Sequence, residues 1–116
     1  MYTLKVKSHF DSAHHLLNYK GPCKNIHGHR WEIVAIYEYK NNNKNGMCVD
    51  FQEIKGDLKY TLKDYDHNDL NTFIKQPTAE NIVKEIYKRL KILNENLVGV
   101  SIFESPECEI FYQELE

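Results

Sequence analysis

No stretch of this 116-residue chain approaches the roughly 18 consecutive apolar residues that a membrane-spanning helix requires. The opening Met1-Tyr2-Thr3-Leu4-Lys5-Val6-Lys7 alternates where a secretory leader would run apolar. A cytoplasmic chain without a membrane partner is therefore expected. Cysteine is scarce, since Cys23, Cys48 and Cys108 are odd in number and form no Cys-x-x-Cys pair, which argues against a disulfide framework. An excess of charge of one sign is missing too: 15 Lys and Arg face 17 Asp and Glu, so nothing draws the chain to nucleic acid. Repeats and low-complexity segments are absent. What is present, 41% hydrophobic and 28% charged residues, suffices for one compact domain over residues 1–116.

The periodicity predicts an order of β-β-α-α-β-β. Leu4, Val6, Ser8 and Phe10 alternate with Lys5, Lys7 and His9 over residues 2–10, the period of a half-buried strand, and the pattern breaks from Phe10 to Asn25. Trp31 to Lys40, rich in aromatic and β-branched residues, forms the second strand of an antiparallel hairpin. Asp50 caps a helix over about 51–64, with Phe51, Ile54, Leu58, Leu62 and Tyr65 at helical spacing. Thr78 caps a second helix with an Ile82, Ile86, Leu90 stripe, ending near Leu93. Val98, Val100 and Ile102, then Cys108, Ile110 and Tyr112, give two more strands. Four strands under two helices on one face make an α+β layer fold, and its end strands expose backbone groups that invite pairing with a second copy.

Five of the six histidines fall within residues 9–29, where an even spread would put about one. In His27-Gly28-His29 the strand period assigns both imidazoles to one face, while Gly28 leaves room for a ligand. Across the hairpin, His14 or its neighbour His15 supplies a third nitrogen. Three histidines would leave one position of a tetrahedral zinc open, as catalytic sites do, although a lone His-x-His pair more often lies on a solvated strand face. Cys23 lies four residues before His27, where a nearby cation would stabilise its thiolate. It is then either a general base or a fourth, site-closing ligand. Asp66-His67 pairs a carboxylate with an imidazole, an arrangement that sets a tautomer but also occurs in ordinary turns. Glu104 ends an apolar strand face, where a carboxylate is costly unless paired. Its oxygens suit two parallel N–H donors, such as the edge of a pterin or guanine ring, although water at the strand end would serve as well.

Taken together, the blocks Phe10-Asp11-Ser12-Ala13-His14-His15-Leu16, Cys23-Lys24-Asn25-Ile26-His27-Gly28-His29, Gly46-Met47-Cys48-Val49-Asp50-Phe51, Asp66-His67-Asn68-Asp69-Leu70-Asn71, Pro77-Thr78-Ala79-Glu80-Asn81 and Glu104-Ser105 resemble, in order, the 6-pyruvoyltetrahydropterin synthase family. The three-residue gap between Cys23 and His27 resembles its bacterial 6-carboxytetrahydropterin synthase branch, of queuosine biosynthesis. The resemblance implies the tunnelling fold, with trimers closing their sheets into a barrel and pairing as a homohexamer. It implies Zn²⁺ on His14, His27 and His29, Cys23 as general base, Asp66 and His67 as a proton relay, and Glu104 as anchor of the pterin ring. The implied reaction takes 7,8-dihydroneopterin triphosphate to 6-carboxy-5,6,7,8-tetrahydropterin with loss of acetaldehyde and triphosphate. A pyruvoyltetrahydropterin synthase is the alternative, or, from another class, a zinc-stabilised binding module with Cys23 as fourth ligand. His15, Arg30-Trp31 and Ser105 depart from the family pattern. Lys20, Lys24 and Arg30 lie near the site in sequence and are candidates to meet phosphate.

Overall fold

A computed structural model describes residues 1–17, 27–72 and 74–115. Strands β1 (Tyr2–His14) and β2 (His27–Tyr39) pair antiparallel from Tyr2↔Tyr39 to His14↔His27. Strand β3 (Leu97–Ser105) lies beside β2, and β4 (Cys108–Tyr112) beside β3, so the sheet order is β1-β2-β3-β4. Helices α1 (Phe51–Leu62) and α2 (Ala79–Leu93), with a 3₁₀ turn at Leu70–Thr72 between them, cover one face. This is the predicted order. No helix among the described residues is long and apolar enough to cross a membrane.

The first strand continues past the predicted break at Phe10. Its inward positions 12 and 14 are polar yet buried, Ser12 at 6% exposure and His14 at 0%, so a reading by hydropathy stops where the structure does not. The second strand likewise starts at His27, earlier than its aromatic run. In α1 the Asp50 side chain accepts the Gln52 N–H, as a cap should, but Phe51 points to solvent and the buried stripe is Ile54, Leu58 and Leu62. Tyr65, beyond the helix end, completes that stripe from a turn. On α2, Thr78 caps through the Asn81 N–H, and Ile82, Ile86 and Leu90 are buried with Val83 and Tyr87. These side chains meet Phe10, Trp31, Ile33, Val100 and Ile102 from the sheet in a single core.

At the far end of the sheet from His14, the fully buried Tyr37 hydroxyl finds no hydrogen-bond partner among the described residues. A buried orphan hydroxyl costs about 1–3 kcal/mol. Burial pushes its phenol above the ordinary 10.0. The folded state therefore holds this proton more tightly than the unfolded chain; its contribution is intact below pH 10 and is lost as pH climbs beyond it. Tyr37→Phe is expected to raise unfolding free energy by about 1 kcal/mol and to flatten the alkaline limb of a stability–pH curve measured by urea unfolding. A destabilised variant would show that the hydroxyl is satisfied.

Candidate metal centre and active site

The site forms where β1 ends against β2 and the N-terminus of α2. His14 donates from Nδ1 to the Pro77 carbonyl oxygen at 2.7 Å. A carbonyl can only accept, so the proton resides on Nδ1 and Nε2 is the nitrogen able to ligate; a carbonyl on the other ring nitrogen is the kind of partner that orients a metal-binding imidazole. Pro77 stands just before the Thr78 cap, so the start of α2 fixes this ring. His29 sits opposite Ser12 in the ladder, with its ring centroid 5.1 Å from that of His14. Trp31, fully buried and the chain's one tryptophan, packs at 5.0 Å from the His14 ring and 5.2 Å from that of His29.

Glu104, at the end of β3, joins them: the ligand atoms of His14, His29 and Glu104 all lie within 4.8 Å of one another. Two imidazoles and a carboxylate, one imidazole with its tautomer already set, make a nitrogen and oxygen donor set suited to Zn²⁺. The ladder places residue 27 across from His14 and two positions from His29. The His27 side chain lies outside the described residues, as does all of Cys23. Gly28 has nothing within 4 Å of where a Cβ would stand, so the space beside it is open.

Asp66 and His67 are held onto the edge of β1. The Asp66 Oδ1 accepts the Asp11 N–H at 2.9 Å, the His67 N–H donates to the Asp11 carbonyl at 2.6 Å, and the Ala13 N–H donates to the Asn68 carbonyl at 3.3 Å. His67 takes φ of 57°, a left-handed conformation that costs an ordinary residue about 1–2 kcal/mol and here presents an exposed ring. Its Nε2 lies 3.5 Å from Asp66 Oδ2. His67 and His29 line one open depression of about 550 Å³ with Asp11, Arg30, Asn68 and Asp69. Arg30, an exposed side chain, donates to both Asp11 oxygens, at 3.0 and 3.3 Å. That hydrogen bond holds the Asp11 carboxyl below its usual range. Lys20 and Lys24 lie outside the described residues.

Two carboxamides that sequence reasoning passed over brace the segment leaving His14. Asn71 accepts the His15 N–H at 2.9 Å and donates to the His15 carbonyl at 3.1 Å. Gln76 does the same for Leu17, at 2.7 and 2.8 Å. Each amide thus replaces a missing neighbouring strand at alternate residues. Asn71 belonged to a recognised block, but nothing local in the sequence tells which backbone it will meet. Asn71→Ala removes two hydrogen bonds, about 2 kcal/mol at roughly 1 each, and should lower the midpoint of thermal unfolding by several degrees. An unchanged melt by circular dichroism would show that the brace is idle.

With this geometry in place, comparison gives the class and then the family. The fold is that of a pterin synthase unit: a solved 6-pyruvoyl tetrahydropterin synthase from Caenorhabditis elegans superposes with TM-score 0.88 at 22% identity, over 98% of this chain and 96% of that one. Residues 3–115 match the 6-pyruvoyl tetrahydropterin synthase family, and the chain belongs to it and is an enzyme. It is 26% identical to the 6-carboxy-5,6,7,8-tetrahydropterin synthase of Haemophilus influenzae, over 98% of this chain and 100% of that protein. It is 30% identical to the dihydroneopterin monophosphate aldolase of Pyrococcus furiosus, over 80% of this chain and 75% of that protein. The tunnelling-fold unit implied by the resemblance is thereby shown.

Proposed function

We propose that the protein converts 7,8-dihydroneopterin triphosphate and one water to 6-carboxy-5,6,7,8-tetrahydropterin, acetaldehyde and triphosphate, with Zn²⁺ on His14, His27 and His29, in the cytoplasm and on the route to queuosine. The observation that carries this is the convergence of His14, His29 and Glu104, with His14 already locked in a metal-binding tautomer by Pro77. A bound Zn²⁺ would polarise the hydroxyls of the substrate side chain and make them more acidic. Cys23 removes a proton from that side chain as general base. With Nε2 turned toward Asp66, the His67 Nδ1 is left to take or return a proton, and Asp66, itself held by the Asp11 N–H, keeps that orientation. Glu104 accepts the paired N–H donors of the pterin ring and sets the side chain over the histidines.

Assembly is part of the proposal. The chain extends 54 Å in one direction and 25 Å in another, and β1 and β4 are edge strands of its four-stranded sheet. Trimers closing their sheets into a barrel, stacked in pairs as a hexamer, would cover both edges. Light scattering of the purified protein should return about six times the 13.8 kDa chain mass.

The test is incubation of zinc-loaded protein with 7,8-dihydroneopterin triphosphate, with and without a chelator, followed by identification of the pterin and the aldehyde. The expected result is 6-carboxytetrahydropterin and acetaldehyde in equal amounts, abolished by the chelator. Triphosphate release without any aldehyde would assign the pyruvoyl reaction instead. An aldehyde other than acetaldehyde would align the chain with its aldolase relative. No pterin consumed by the loaded protein would end the enzymatic reading of this site.

A further inference from the structure

We infer that Glu104 is a two-position carboxylate, a ligand that completes the metal centre at rest and leaves it when a pterin ring enters. The inference rests on the metal-centre reading above and goes beyond it, because it gives Glu104 a place among the metal ligands as well as at the ring. Three observations carry it. First, a Glu104 oxygen lies within 4.8 Å of the ligand nitrogens of both His14 and His29. Ligand atoms roughly 2.0–2.1 Å from one tetrahedral ion stand about 3.3 Å apart, so closing the set takes a shift within reach of side-chain torsions.

Second, the half-buried Glu104 carboxylate makes no hydrogen bond or ion pair with any described residue. A carboxylate partly withdrawn from water gains from a cation or N–H donors, and no described side chain is bonded to it. Third, the same side chain lines a cavity of about 300 Å³ with His14, Thr78, Ile102, Cys108 and Ile110. One carboxylate thus stands beside two imidazole donors and also lines a cavity of ring-sized volume. A ring edge that engages both oxygens would draw Glu104 away from a bound ion, which would leave a position there for the substrate. Ring and metal then weaken each other through Glu104, and by linkage the coupling is reciprocal.

The experiment measures Zn²⁺ affinity by competition with a chelating dye, in the wild-type 116-residue chain and in Glu104→Gln, each with and without 6-methylpterin. That probe has the ring edge but no side-chain hydroxyls to bind the ion. Glu104→Gln should bind Zn²⁺ about 10–100-fold more weakly than the wild type. Adding 6-methylpterin should weaken Zn²⁺ binding by roughly 5-fold or more in the wild type and leave the variant unchanged. Melting of the metal-free proteins checks folding, and Glu104→Ser supplies a second carboxylate-free variant if the amide fails to fold. Equal Zn²⁺ affinity in wild type and variant overturns the resting ligand, while the three-histidine centre stands. A wild-type affinity that 6-methylpterin does not lower overturns the exchange. A wild type that binds no Zn²⁺ at all sinks the metal-centre reading itself, and this inference with it.

Discussion

His14→Ala is expected to empty the metal centre and to slow consumption of 7,8-dihydroneopterin triphosphate by about 10³-fold or more. The size follows from what a bound metal supplies in such chemistry, several kcal/mol of charge stabilisation, at about 1.4 kcal/mol per factor of ten in rate. The same change strips a buried hydrogen bond to the Pro77 carbonyl, so a modest fall in stability, about 1–3 kcal/mol, should accompany it. Two measurements separate these effects. Metal content per chain, by mass spectrometry of inorganic ions, reads the centre directly. The emission of Trp31, packed against both imidazoles, should respond to added Zn²⁺ in the wild type and not in the variant. A variant that keeps its zinc and its rate would remove His14 from the centre.

The second large effect belongs to Cys23. Cys23→Ala should lower the rate by roughly 10²–10⁴-fold, the range of a lost general base, while zinc content and melting temperature stay at the wild-type values. The binding-module alternative makes the opposite prediction, because a fourth structural ligand supplies folding free energy: its loss takes metal and fold together. A folded, zinc-loaded and inactive variant therefore supports the enzyme, and an unfolded, zinc-free one supports the module. The pH dependence of the residual rate adds a check. If Cys23 supplies a thiolate, the rising limb of the wild-type profile should disappear in the variant.

Much of the fold is legible in the sequence. Alternation from Tyr2 to Phe10 and the Ile82, Ile86, Leu90 stripe are local patterns, and the structure returns both. The reading faltered where a buried position is polar. Ser12 and His14 face inward on the same side as Phe10, but hydropathy cannot tell a buried imidazole from a solvated one. The site behaves similarly. The His-x-His pair, Asp66-His67 and Glu104 stand out by residue type, whereas the carbonyl that sets the His14 tautomer comes from 63 residues away. Asn71 brings its brace across 56 residues to His15. Arg30, a candidate for phosphate, proves paired with Asp11 across the hairpin.

By itself the sequence determined the order of strands and helices and the kinds of donor available, because periodicity and side-chain chemistry are properties of short stretches of chain. Only the tertiary structure decided which donors meet. Glu104 reaches the two imidazoles because β3 pairs beside β2, and His14 presents Nε2 because the start of α2 packs against the end of β1. Those relations arise from long-range packing, which no local pattern encodes.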